Sequence, residues 1–116
     1  MRFQKQEDGH YLDKKTGLIW AQLPKPGYYI WREAKDLEHD GWRLPTREEL
    51  VGIVSKKPSK SIWCRLPHML ARPYWSSSIT NSNPDYVWYV SFQHGGVGNW
   101  HRLCAGGSVR LVREAK

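Results

Sequence analysis

The residues best equipped to engage another molecule lie in one acid-free stretch. From Leu50 to Pro84 there is no Asp or Glu, while Lys56, Lys57, Lys60, Arg65 and Arg72 carry positive charge around Trp63. One-signed charge on that scale raises the local potential and favours anionic partners: an acidic protein face, a sulfated polysaccharide or nucleic acid. A solvated loop that keeps the chain soluble would carry the same cations, so charge alone speaks to association and not to a site. A second group, His94, Asn99, Trp100 and His101, brackets the glycine-rich run HGGVGNWH. These side chains would either line a pocket or serve as ordinary surface groups.

Bond-making chemistry finds few candidates. Ser76, Ser77 and Ser78 follow Trp75, but a serine nucleophile needs a histidine base and an orienting acid, and no spacing supplies them. Cys64 and Cys104 fit no zinc pattern, and none of His10, His39, His68, His94 and His101 has a histidine four residues away. A calcium site takes roughly six to eight oxygens, usually several from carboxylates; the second half offers Asp85 with Asn81, Asn83 and Asn99. The expectation is therefore no catalytic residue, no metal and no cofactor.

The elements that position these residues follow from pattern. Tyr11–Asp13 and the run from Leu18 read as two strands around the turn KKTG, with Gly17 free to take a positive φ. LPKPGYY, with Pro24, Pro26 and Gly27, reads as a loop. Trp31, Ala34 and Leu37 recur every three residues, one face of a helix that Asp40–Gly41 would end. Thr46 followed by Glu49 predicts a capping box opening a second helix, with Leu50, Ile53 and Val54 as its buried stripe. Ser55–Pro73 shows neither period and holds three prolines, so it reads as an irregular excursion. YVWYVSF alternates as a strand, HGG turns, VGNWHRL returns and SVRLVR closes the chain as a last strand. Helices early and strands late argue for an α+β fold with a mostly antiparallel sheet. Arg43, set between Trp42 and Leu44 just before the cap, is expected to run under the fold to a carbonyl or carboxylate, since a buried guanidinium must be paired.

Composition bounds the rest. A chain of 116 residues with 40% hydrophobic and 25% charged side chains suits one domain, taken as 1–116. It carries 18 Lys and Arg against 11 Asp and Glu, a net charge of +7, and seven Trp beside two Phe. No apolar run approaches the ~20 residues of a membrane helix. MRFQKQEDGHYLDKKTG has no apolar stretch to act as a secretion signal. A cytoplasmic protein with two free thiols is expected, or an exported one if a leader was removed.

Five pieces stand in order: TGLIW, WREAKDLEHDGWRLPTREELVGIV, YWSSS, VWYVSFQHGG and VRLVR. Together they resemble the family of domains typified by the C-terminal domain of the Lcl collagen-like bacterial adhesin. That family's pattern runs TGL-W, W-x-x-A, WRLPT-x-x-E-L, YWSS, W-Y-V-x-F-x-x-G and a final VR-x-VR. The likeness spans Thr16 to Arg113. It implies a C-type-lectin-like fold, distantly related to formylglycine-generating enzymes, in which first and last strands pair, two helices flank the sheet and a long irregular loop region binds ligand. Trp20, Trp42, Arg43, Thr46, Glu49, Trp75, Trp88 and Arg110 are expected to hold such a fold together. Two departures matter. Leu37 stands where a cysteine often occurs, and the enzymatic relatives' close cysteine pair is missing, since Cys64 lies 40 residues before Cys104.

The resulting expectation is a non-enzymatic binding module. Its partner surface would comprise Lys56, Lys57, Lys60, Trp63, Arg65 and Arg72 together with His94, Asn99, Trp100 and His101. The partner would be a protein or an anionic polysaccharide; a phage- or mobile-element-encoded inhibitor of a host complex, such as an anti-CRISPR, is one form this would take. The alternative is a nucleic-acid binder that stacks a single strand on Trp63, Tyr74 and Trp75.

Overall fold

The computed structural model describes residues 1–115. Three short strands open the chain: β1 (Phe3–Lys5), β2 (Tyr11–Asp13) and β3 (Leu18–Trp20). The β2–β3 turn forms where expected, with Gly17 N–H donating to Asp13 O at 2.8 Å and φ of +79° at Gly17. Asp13 is fully buried and Arg2 grips it through two hydrogen bonds of 2.7 and 2.8 Å. Burial alone would raise the Asp13 carboxyl, but the Arg2 guanidinium and the Lys15 N–H outweigh it and hold it below the usual carboxylate range.

Next come β4 (Lys25–Tyr29), α1 (Trp31–Asp36) and α2 (Arg47–Val51). They are followed by β5 (Val54–Ser59), β6 (Ile62–Cys64), β7 (Pro73–Ile79), β8 (Tyr86–Ser91), β9 (Val97–His101), β10 (Gly107–Val109) and β11 (Val112–Glu114). One sheet runs β1-β2-β3-β11, a second β4-β10-β7-β8-β9, and β5 pairs only with β6. The result is β-rich with two short helices, and all pairings but β7–β10 are antiparallel.

Period-two alternation in β7 and β8 sends side chains to opposite faces of the five-stranded sheet. Tyr74, Val90 and Phe92 join Trp20, Leu50 and Val112 in one apolar cluster. Trp75 and Val87 join Ala34, Leu44, Val109 and Leu111 in the other. Both faces are covered, which is why Val87 is as buried as Val90. On the second face a Cβ at Gly107 would collide with the Trp75 indole, so only glycine lets β10 approach β7 there.

Four expectations are corrected. Helix α1 ends at Asp36, and Asp40 (φ +49°) with Gly41 (φ +85°) instead forms a tight turn that pairs His39 with Trp42. Two successive positive φ values are what Asp-Gly suits in a type I′ turn. LPKPGYY is not all loop: Lys25–Tyr29 pairs with β10, as an edge strand can despite its proline. SVRLVR is two strands, broken at Arg110–Leu111, so that Gly107–Val109 joins the larger sheet and Val112–Glu114 the smaller. Lastly, Ser55–Pro73 is not one irregular excursion. Its first half is the β5–β6 hairpin, and only the residues from Arg65 to Arg72 lack regular structure.

Candidate functional site

The hairpin carries its cations outward. Lys56, Lys57, Pro58, Ser59, Lys60 and Ser61 are all exposed. The tip turns through Lys60 (φ +53°) and Ser61 (φ +65°), two L-residues in the left-handed region, where each carries a modest steric cost. Among the described residues none of Lys56, Lys57, Lys60, Arg65 and Arg72 forms an ion pair. Their charge is therefore left to solvent or to a partner.

Beneath the tip the hairpin is anchored. Trp63 N–H donates to Phe92 O at 2.9 Å, and Phe92 N–H donates to Arg72 O at 3.1 Å, so three backbones lie side by side. Gly95 (φ +77°) sits under the Trp63 ring, which an added Cβ would meet at 3.0 Å. This joins Trp63 to the turn holding the exposed His94. Arg72 lays its guanidinium over the Tyr28 ring, 4.6 Å from the centroid, a cation–π contact. Tyr28 was not foreseen, because its segment read as loop and its strand partner lies some eighty residues away.

The rest of the expected surface lies elsewhere. Strand β9 runs away from the Gly95 turn at about 3.3 Å per residue, placing His101 about 20 Å off. Asn99 is exposed opposite Trp88, and His101 packs edge-on against Tyr86 at 5.5 Å. Trp100, expected at the partner surface, packs inward instead. It lies 4.2 Å from Tyr89 and 5.8 Å from Trp75 between ring centroids, against the second apolar cluster. The structure therefore brings together the hairpin lysines, Trp63, Arg72 and His94, and leaves Asn99, Trp100 and His101 apart.

The residues expected to hold the fold are deeply engaged. Thr46 and Glu49 form the capping box, Thr46 Oγ1 accepting from Glu49 N–H at 3.1 Å and Glu49 Oε1 from Thr46 N–H at 2.8 Å. Arg43 donates to both Glu49 oxygens at 2.7 and 2.8 Å and to Glu114 at 3.0 Å, while its backbone pairs with Val112. These bonds, Glu49 first, raise the Arg43 pKa. Burial works to raise the Glu49 carboxyl, yet the guanidinium and the Thr46 N–H keep it below its ordinary range. Arg110 is fully buried, and no carboxylate among the described residues pairs with it. It donates to Ala21 O at 2.8 and 2.9 Å, to Gln22 O at 3.1 Å and to Pro67 O at 2.6 Å. Burial pulls its pKa down to about 10.

Trp20 and Trp75 are wholly buried, and Trp75 Nε1–H donates to Tyr29 O at 2.8 Å. Trp42 lies between His10 (4.7 Å) and the Arg113 guanidinium (5.1 Å), and Arg47 sits 4.5 Å over Trp88.

Two of the three serines that follow Trp75 are engaged by the fold. Ser76 Oγ–H donates to Trp88 O at 2.7 Å, and Ser78 Oγ accepts from Arg47 N–H at 3.0 Å. Both cysteines are free. Burial pushes the Cys64 thiol up to about 11, so it stays protonated at neutral pH and is a poor nucleophile.

Together these features define a β-rich domain in which arginines lace the strands and a lysine hairpin projects. The family model of the Lcl C-terminal domain matches residues 9–113, and the chain belongs to that family. No curated protein matches it.

Proposed function

We propose that this protein is a non-enzymatic binding module whose β5–β6 hairpin engages an acidic macromolecule, a protein or an anionic polysaccharide. The observation that carries the reading is the contrast in charge pairing. Lys56, Lys57 and Lys60 project from an acid-free stretch without ion-pair partners among the described residues, on a hairpin anchored by Trp63 and Phe92. Unpaired cations on a fixed element steer an anionic surface and hold it without first breaking an internal salt bridge. The antiparallel pairing of β3 with the closing β11 sets an early strand beside the last one, which supports a C-type-lectin-like fold; in such a fold the stretch that holds the hairpin would be the ligand-bearing loop region. Inhibition of a host complex is one use such a surface would serve.

The nucleic-acid reading loses support from burial. Tyr74 and Trp75 are 0% exposed, so two of its three stacking platforms are inside the core.

The test is binding of poly-L-glutamate and of a sulfated polysaccharide, measured across a salt series beside single-stranded DNA. The triple variant Lys56→Glu, Lys57→Glu, Lys60→Glu is expected to weaken polyanion binding at least tenfold, about 1.4 kcal/mol. Unchanged affinity at low salt would reduce the hairpin to a solvated surface.

A further inference from the structure

A recess of about 340 Å³ opens at the foot of the hairpin, lined by Phe3, Ile53, Val54, Ser55, Arg65 and Pro67 among others. Its walls are mostly apolar: Ile53 belongs to the first apolar cluster, and Phe3 and Val54 pack against that cluster from outside. Two arginines edge it, and they differ. Arg2 is committed, donating to both oxygens of Asp13 and to Gly52 O at 2.8 Å. Arg65 is exposed, and no ion pair engages it among the described residues. From Ser55 the chain continues directly into Lys56 and Lys57, and the tip at Lys60 lies about 17 Å along the strand. An apolar cup and a strand that bears free cations therefore sit end to end.

We propose that this recess takes one large apolar side chain of an acidic protein segment, whose carboxylates run along Lys56, Lys57, Lys60 and Arg65. The inference rests on the basic-surface reading above and adds the chemistry of the partner. The volume falls at the low end of pockets that hold small ligands, about 300–1,000 Å³, so it suits a single anchor and not a length of chain. Interfaces concentrate affinity in such desolvated anchors, while surrounding charges govern approach and register. A uniformly sulfated polysaccharide offers charge without an apolar anchor and would leave the cup unused. Charge complementarity with Arg65 beside the apolar walls selects a carboxylate-bearing peptide.

The experiment compares three labelled probes by fluorescence anisotropy on the full chain at low salt. They are a glutamate-rich peptide with one terminal Trp, the same peptide with Ala there, and an oligothymidylate of equal charge. The Trp peptide is expected to bind at least tenfold tighter than the Ala peptide. Ser55→Trp, which fills the cup from its rim, should erase the Trp peptide's advantage over the Ala peptide. Equal affinity of the two peptides on the native chain overturns the anchor while leaving the basic surface standing. Failure of every probe overturns the basic surface as well. Tighter binding of the oligothymidylate than of the Trp peptide overturns the choice of a protein segment. Should Ser55→Trp fail to fold, the probe series on the native chain decides alone.

Discussion

Arg43 and Arg110 on one side, and Lys56, Lys57 and Lys60 on the other, carry the same charge in very different company. Arg43 is half-buried and held by two carboxylates. Arg110 is fully buried and held by three backbone carbonyls. The lysines are exposed on a projecting hairpin with no ion-pair partner among the described residues. The difference teaches how to read a basic sequence: a cation whose donors are all spent inside the chain is architecture, and one whose donors are free is available to something else. Arginine suits the first role because its planar fork reaches several acceptors at once and stays charged when buried. Lysine, a hydrated point charge on a flexible stem, suits the second.

The most severe way to break the comparison is to remove a spent cation. Arg110→Met would keep much of the volume but strand the carbonyls of Ala21, Gln22 and Pro67, which belong to two connections between strands, β3–β4 and β6–β7. An unsatisfied buried acceptor costs about 1–3 kcal/mol, and loss of a buried charged hub typically several. The expected loss is about 3–5 kcal/mol for the three carbonyls together, a large share of the roughly 5–15 kcal/mol that keeps such a domain folded. Urea unfolding followed by circular dichroism measures it; an unchanged midpoint would show that the clamp does no structural work.

The Arg43–Glu49 pair should cost less, because water reaches it. A double-mutant cycle with Arg43→Met and Glu49→Gln is expected to give a coupling of about 1 kcal/mol, the upper end for a solvent-accessible pair. Its pH dependence has a definite sign. The Glu49 carboxyl sits below its ordinary value in the folded state, so its contribution is fully present above the unfolded pKa of about 4.3. It is lost as pH falls toward the folded value. The coupling should thus be constant from pH 6 to 8 and shrink below about pH 4. A coupling that grew on acidification would mean that the carboxylate is not what holds Arg43.

The capping box gives a comparable figure from neutral groups. Thr46→Ala removes the acceptor for Glu49 N–H and should lower stability by about 1 kcal/mol in the same assay; no change would mean that α2 gains nothing from its cap.

Thr46 and Glu49 also show why some of this architecture was legible in the sequence. A cap is a local code: two residues three apart meet on the first turn of a helix whatever the rest of the chain does. The alternation of β8 is local too. What stayed hidden depends on distant partners. Lys25–Tyr29 is a strand because β10 lies beside it, and its two turn-forming residues, Pro26 and Gly27, argued for a loop. The β5–β6 turn is made by Lys60 and Ser61 in left-handed conformations, without the Asn or Gly that announces such a turn. The break at Arg110 came from the position of Ala21, Gln22 and Pro67, which no spacing encodes. The hairpin lysines were legible as charge but not as geometry, and the half-buried packing of Trp100 on Tyr89 and Trp75 was not, because an aromatic beside glycines reads alike at a surface or over a strand.

The smallest expected effect belongs to the free cations, and it sharpens the comparison most. Lys56→Glu, Lys57→Glu and Lys60→Glu together change the charge by six units, far more than Arg110→Met does. Yet solvated substitutions of this kind usually stay within about 0.5 kcal/mol each. Two influences pull in opposite directions. Reversal removes repulsion among three neighbouring lysines and with Arg65, which favours the folded hairpin. It also places a new residue at the positive φ of Lys60, which glutamate tolerates no better than lysine. These leave a net change near zero in the urea midpoint, while polyanion binding falls at least tenfold. The companion variant Trp63→Ala is expected to behave as architecture, because its ring covers Gly95 and its backbone pairs with Phe92. A half-buried indole lost from that contact should destabilise by less than the ~3–5 kcal/mol of a fully buried one. If the triple reversal lowered the midpoint as far as Trp63→Ala, the lysines would be holding the hairpin in place, and the division between spent and free cations would fail at the surface where it matters.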